Sequence, residues 1–104
     1  MSLSLLSLTG PKPALTLREL DVLELVAEGL STKAVAARLY LSHQAVTYHL
    51  GNLLAKLQCR NRTGLVARAY VAGILRVDRW PPRATRQARG RVGHREILRI
   101  PELG

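Results

Sequence analysis

Residues 42–57 read SHQAVTYHLGNLLAKL. At about 100° per residue this stretch divides into two faces. Val46, Leu50, Leu53 and Leu57 recur at helical spacing and form one apolar stripe, which Leu54 widens. Gln44, Thr47, Tyr48, Gly51 and Ala55 fall roughly opposite, with Asn52 at their edge. This second face is too polar for a core and too poor in charge for an ordinary solvated helix. Small residues there admit another surface closely, while Gln, Thr and Tyr offer hydrogen bonds. A helix laid into the major groove of DNA needs that combination of an anchored back and a short polar front. Taken in isolation the same pattern also suits a core helix with a featureless outer side, and the segments before it decide between the two.

Thr16-Leu17-Arg18-Glu19 is a capping box that opens a helix, expected to run to about Glu28 and to stop at Gly29. Leu20, Leu23, Val26 and Ala27 make its buried stripe, and Glu19, Asp21 and Glu24 are expected mostly to face out. Ser31 caps a short second helix from Thr32 to about Leu39. Tyr40-Leu41 breaks it, and Ser42 caps the third helix at once. Ala36 is small where two helices must cross, and Leu41 is placed to plug the core from the turn. A short helix, a tight turn and a longer helix in this order are a helix-turn-helix.

After a loop at residues 58–61, Asn61 or Thr63 opens a fourth helix expected to reach about Leu75. Leu65, Val66, Ala69, Ala72 and Leu75 are joined by Tyr70, Val71 and Ile74, so it is apolar around most of its circumference. In so small a domain such a helix is clamped from two sides or shared with a second subunit. The expectation is an all-α four-helix bundle containing the helix-turn-helix. It spans residues 14–75, between an N-terminal arm at 1–13 and a basic, largely irregular C-terminal tail at 76–104. The arm carries Leu3, Leu5, Leu6 and Leu8 and ends in Thr9-Gly10-Pro11-Lys12-Pro13, which cannot be helical through its prolines. In the tail, Trp80-Pro81-Pro82 is followed by scattered arginines, with Ile97, Leu98 and Ile100 as a short strand or docking segment.

The chain of 104 residues has a formal net charge of +9, one cysteine and no phenylalanine. Residues 1–75 hold eight Lys/Arg against Glu19, Asp21, Glu24 and Glu28, and residues 76–104 hold eight Arg against Asp78, Glu96 and Glu102. That balance calls for a polyanionic partner. A single cysteine forms no internal disulfide, and the first residues lack a basic leader, so the cytoplasm is the expected location. No helix shows a basic amphipathic face, which argues against a membrane partner. His43 and His49, six apart, are poorly spaced for a shared metal, and Cys59 and His94 lie elsewhere. No nucleophile–base pair, carboxylate pair or phosphate-binding glycine loop is present, so neither enzyme chemistry nor a cofactor is expected.

The run from Leu15 to Leu75 resembles the LuxR/GerE-type DNA-binding domain, also the output domain of NarL-type response regulators. The marks are L-T-x-R-E in the first helix, A-E-G-L-S-x-K before the second, and A-x-x-L-x-L-S into the turn. V-x-Y-H-L and K-L in the third helix and R-N-R-T before the fourth complete the set. Met1 shortly before the helices gives the look of a stand-alone member. The resemblance implies a third helix in the major groove of double-stranded DNA and a homodimer through the fourth helix, in the region of Leu65, Val66, Ala69 and Tyr70. It places Thr47, Tyr48 and Gly51 toward the groove, Ser42 and Gln44 near the DNA, and Lys33 and Lys56 as phosphate contacts. Where Thr47 and Gly51 stand, the family commonly has Lys or Arg. The alternative is an interaction module that uses the scaffold to dock on another regulator or RNA polymerase. The uncharged groove face favours that alternative, and Lys33, Lys56, Arg60 and Arg62 weigh against it.

Overall fold

A computed structural model describes residues 14–90. Within them lie five helices and no strand: α1 (Leu17–Glu28), α2 (Thr32–Leu39), α3 (His43–Leu57), α4 (Arg62–Val71) and a short α5 (Arg86–Gly90). The N-terminal arm, residues 91–104 and the possible docking segment at Ile97, Leu98 and Ile100 lie outside the described residues.

Local chemistry sets each boundary. Thr16 and Glu19 form the reciprocal capping box, with both hydrogen bonds at 3.0 Å. Gly29 ends α1 at φ 102°, a left-handed conformation that costs a residue without Cβ little. Ser31, Ser42 and Asn61 each cap the next helix by accepting a backbone N–H three residues on. Leu20, Leu23, Val35, Val46, Leu53 and Leu65 are fully buried where α1 to α4 meet. Leu41, in the turn between α2 and α3, packs against that core.

The outward placement of the α1 acids fails for two of the three. Glu19 and Glu24 are 2% and 7% exposed, because each carboxylate is enclosed by cations and N–H groups from distant segments. Lys56 Nζ donates to Glu19 Oε1 at 2.9 Å and to the Ala14 carbonyl at 3.1 Å. Glu24 Oε2 accepts from the Ala84 N–H at 2.6 Å and from Arg89 Nη2 at 3.0 Å.

The fourth helix stops four residues earlier than periodicity suggests. Gly73 turns left-handed at φ 75°, and the chain swings Ile74 and Leu75 into the core. An antiparallel bridge between Leu75 and Ala84 follows, held by Arg76 N–H to Arg83 O and Thr85 N–H to Ile74 O, both 2.8 Å. Pro82, Ala84 and Ala88 are buried, and Thr85 Oγ1 caps α5 while donating to the Gly73 carbonyl. The first part of the basic tail is thus irregular in form but packed, and the folded unit continues through Gly90. At the tip of this hairpin Arg76 hydrogen-bonds Asp78 at 2.8 Å and holds its carboxyl below the usual carboxylate range.

Candidate nucleic-acid interface

The α2–α3 turn determines how α3 is presented. Tyr40 adopts a left-handed conformation (φ 58°, ψ 43°), and the N–H of Leu41 bonds the Ala36 carbonyl at 2.9 Å. A tyrosine carries strain there that glycine would not, of about 1 kcal/mol. The turn fixes α3 against the core through Val46, Leu53 and Leu57, all buried, with Leu50 and Leu54 half-buried beside them. A helix anchored along its whole inner side cannot roll, so its outer residues hold fixed positions.

Those outer residues are Gln44, Thr47, Tyr48, Gly51 and Ala55, and all five are exposed. Tyr48 is 67% exposed and its ring meets His49 edge-on with centroids 5.6 Å apart. A Cβ added at Gly51 would have nothing within 4 Å. The glycine therefore answers no packing need inside this chain, and it leaves a shallow place in the middle of the face. Ser42 is exposed at the start of α3; its oxygen accepts the Ala45 N–H at 3.0 Å, which leaves its own O–H free to donate.

The cations divide into two groups. Lys33, Arg38 and Arg60 are exposed and have no ion-pair partner among the described residues. Lys56 and Arg62 are held internally. Lys56 spends two of its three donors on Glu19 and Ala14. Arg62 reaches back from the first turn of α4 to the Leu30 carbonyl at 3.1 Å and to Thr32 Oγ1, tying α4 to the α1–α2 turn. Tyr40, 94% exposed in the turn that leads into α3, is a candidate the sequence marked only as a helix break. Its exposure follows from the left-handed backbone, which no residue pattern announces for tyrosine.

The expected dimer residues are only partly available. Leu65 and Ala69 are completely buried in their own domain, because α4 uses that side to close the core. Val66 and Tyr70 are half-buried, and the side of α4 left open runs through Thr63, Ala67 and Val71. Among the described residues no group of three or more His, Cys, Asp or Glu side chains could hold a metal ion. Nor is any helix there long and apolar enough to cross a membrane.

A seated third helix after a tight turn, with a small polar outer face and free cations on α2 and after α3, defines a helix-turn-helix domain of the DNA-binding kind. The model for "Bacterial regulatory proteins, luxR family" matches residues 13–69, and the chain belongs to that family, one of regulators rather than enzymes. It is 52% identical over 52 residues to the nitrate/nitrite response regulator protein NarP of Escherichia coli, covering 50% of this chain and 24% of that protein. It is 51% identical over 49 residues to the uncharacterized transcriptional regulatory protein YhcZ of Bacillus subtilis, covering 47% and 23%. To the transcriptional regulatory protein DegU of Brevibacillus brevis it is 34% identical over 67 residues, covering 64% and 28%. The matched stretch spans only about a quarter of the length of such relatives.

Proposed function

We propose that this chain is a sequence-specific, DNA-binding transcription regulator of the cytoplasm, acting as a dimer, with α3 in the major groove. The observation that carries this reading is the contrast between the two sides of α3. Val46 and Leu53 are fully buried behind, whereas Gln44, Thr47, Tyr48 and Gly51 are open in front. Gln44 suits the adenine edge, Thr47 a thymine methyl or a base acceptor, and Tyr48 a base or phosphate. Gly51 lets the helix sit close to the groove floor.

Ser42 and Lys33 are assigned to the phosphates that flank the groove, and Lys56 joins them through its remaining donor. With no cation at Thr47 or Gly51, base readout rests on neutral groups, and phosphate attraction comes from Lys33, Arg38 and Arg60. The homodimer is assigned to the open side of α4, through Ala67 and Val71 with Val66 and Tyr70 at its border.

Retardation of promoter fragments in the presence of competitor duplex tests the reading. Wild type should prefer one sequence and lose affinity steeply as salt rises. Equal binding to every duplex by wild type and by Thr47→Ala/Tyr48→Ala would refute base readout.

A further inference from the structure

The hairpin at residues 74–85 lies beyond the family match, which ends at residue 69, and none of the DNA contacts assigned above uses it. Its tip, RVDRWPPR at residues 76–83, presents Val77 and Trp80 at 84% and 72% exposure. Among the described residues these are the two most exposed large apolar side chains after Tyr40. Arg79 and Arg83 in the same segment are exposed, as is Arg86 at the start of α5, and the three have no ion-pair partner among the described residues. The acid at the tip, Asp78, is taken by Arg76 at 2.8 Å. The segment thus combines exposed apolar side chains with guanidinium groups that no carboxylate among the described residues pairs.

The hairpin also attaches to α1 on a different side from α3. Glu19 and Glu24 are five residues apart on α1, so their side chains leave the helix about 140° apart. Glu19 turns to α3 through Lys56, and Glu24 turns to the hairpin through Ala84 and Arg89. Thus α1 stands between them, and the outer face of α3 points away from α1. From the other side, Arg62 ties the start of α4 to the α1–α2 turn, while the hairpin follows the far end of that helix, about 15 Å on.

We propose that the 76–83 tip is a docking surface for a protein partner that offers acidic side chains around an apolar anchor. Charge complementarity selects an acidic partner, since Arg79, Arg83 and Arg86 are exposed with no ion-pair partner among the described residues. The exposed Trp80 and Val77 select an apolar anchor, because a phosphate backbone gains nothing from covering them. Guanidinium groups suit carboxylates by their paired N–H geometry. In a DNA-bound regulator this surface would engage another protein while α3 stays on its site, and it does not depend on which sequence α3 reads.

Trp80 is the chain's one tryptophan, so intrinsic tryptophan emission from the full chain reports on the tip alone. The probe is a synthetic amphipathic peptide of Asp, Glu and Leu. Its controls are the same peptide with Leu replaced by Ser and a mixed-sequence DNA duplex. The acidic Leu peptide should move Trp80 emission to shorter wavelength, in a manner that weakens with salt. The Arg79→Gln/Arg83→Gln/Arg86→Gln variant should bind it about tenfold more weakly, and Val77→Ser should reduce the shift. All the altered side chains are exposed, and an unchanged far-ultraviolet circular dichroism spectrum would confirm that the fold survives. Emission unmoved by the peptide overturns the proposal. A shift of equal size with the duplex assigns the tip to nucleic acid instead, and one of equal size with the Ser peptide removes the apolar anchor.

Discussion

The Lys56 ammonium lies 2.9 Å from Glu19 Oε1, joining the C-terminal turn of α3 to the first turn of α1. The same oxygen accepts the Thr16 N–H, so one carboxylate completes a helix cap and also fixes the angle of α3. Lys56→Met would leave that carboxylate, 2% exposed, without its counter-charge. The expected cost is about 2 kcal/mol, a fall in Tm of about 10 °C. In the Glu19→Gln/Lys56→Gln double variant the loss should be smaller than the sum of the two singles, measured by denaturant unfolding as a cycle.

Thr47 and Tyr48 are exposed, and beyond the edge contact of Tyr48 with His49 they pack little. The Thr47→Ala/Tyr48→Ala variant should unfold within about 0.5 kcal/mol of wild type. Its specific and non-specific DNA affinities should converge, as competition retardation would show. A large loss of stability would mean that the face is structural.

Lys33 is exposed and has no ion-pair partner among the described residues, so its removal is expected to leave the fold intact. Lys33→Gln should lower the slope of log affinity against log salt by about 1 with Tm unchanged. Lys56→Gln should lower both, because that side chain serves the fold as well. Fluorescence anisotropy over a salt series separates the two.

Gly51 sits in open space inside α3. Gly51→Arg should therefore stabilise the helix by up to about 1 kcal/mol, since glycine is the poorest non-proline helix former. It also adds a cation where the family commonly carries one. Affinity for DNA in general should rise and its salt dependence steepen by about one unit. A drop in affinity for all sequences would show that the groove floor lies against the glycine itself.

Glu24 holds the C-terminal extension. Glu24→Ala should leave the Ala84 N–H without its acceptor and the Arg89 guanidinium with only Asp21, at 3.9 Å, and cost about 2 kcal/mol. Amide exchange at Ala84, Thr85 and Ala88 should quicken more than exchange within α3, which distinguishes release of the hairpin from general loosening.

The starts of the first four helices were legible, because a cap is a conversation between neighbours, whereas the start of α5 at Thr85 was not. Thr16 with Glu19, Ser31, Ser42 and Asn61 each bond three residues on, within one turn. The open face of α3 was legible for a similar reason, as a helical period converts spacing directly into direction. The burial of Glu19 and Glu24 was not, for their partners lie 37, 60 and 65 residues away. A carboxylate near a helix start reads as solvent-facing until a distant lysine or arginine is brought against it. The same holds for residues 76–90, whose arginines and prolines suggest a loose tail by composition. Only the turn at Gly73 and the bonds to α1 show that they pack.

The sequence by itself determined the four main helices, their caps and the polar outer side of α3, because these depend on residues within a turn or two of each other. Tertiary structure alone decided which charges are buried, which side of α4 remains open and that the chain beyond α4 folds back onto α1. Those outcomes rest on contacts between segments far apart in the chain, where a charge is stable in the interior only if a partner arrives to meet it.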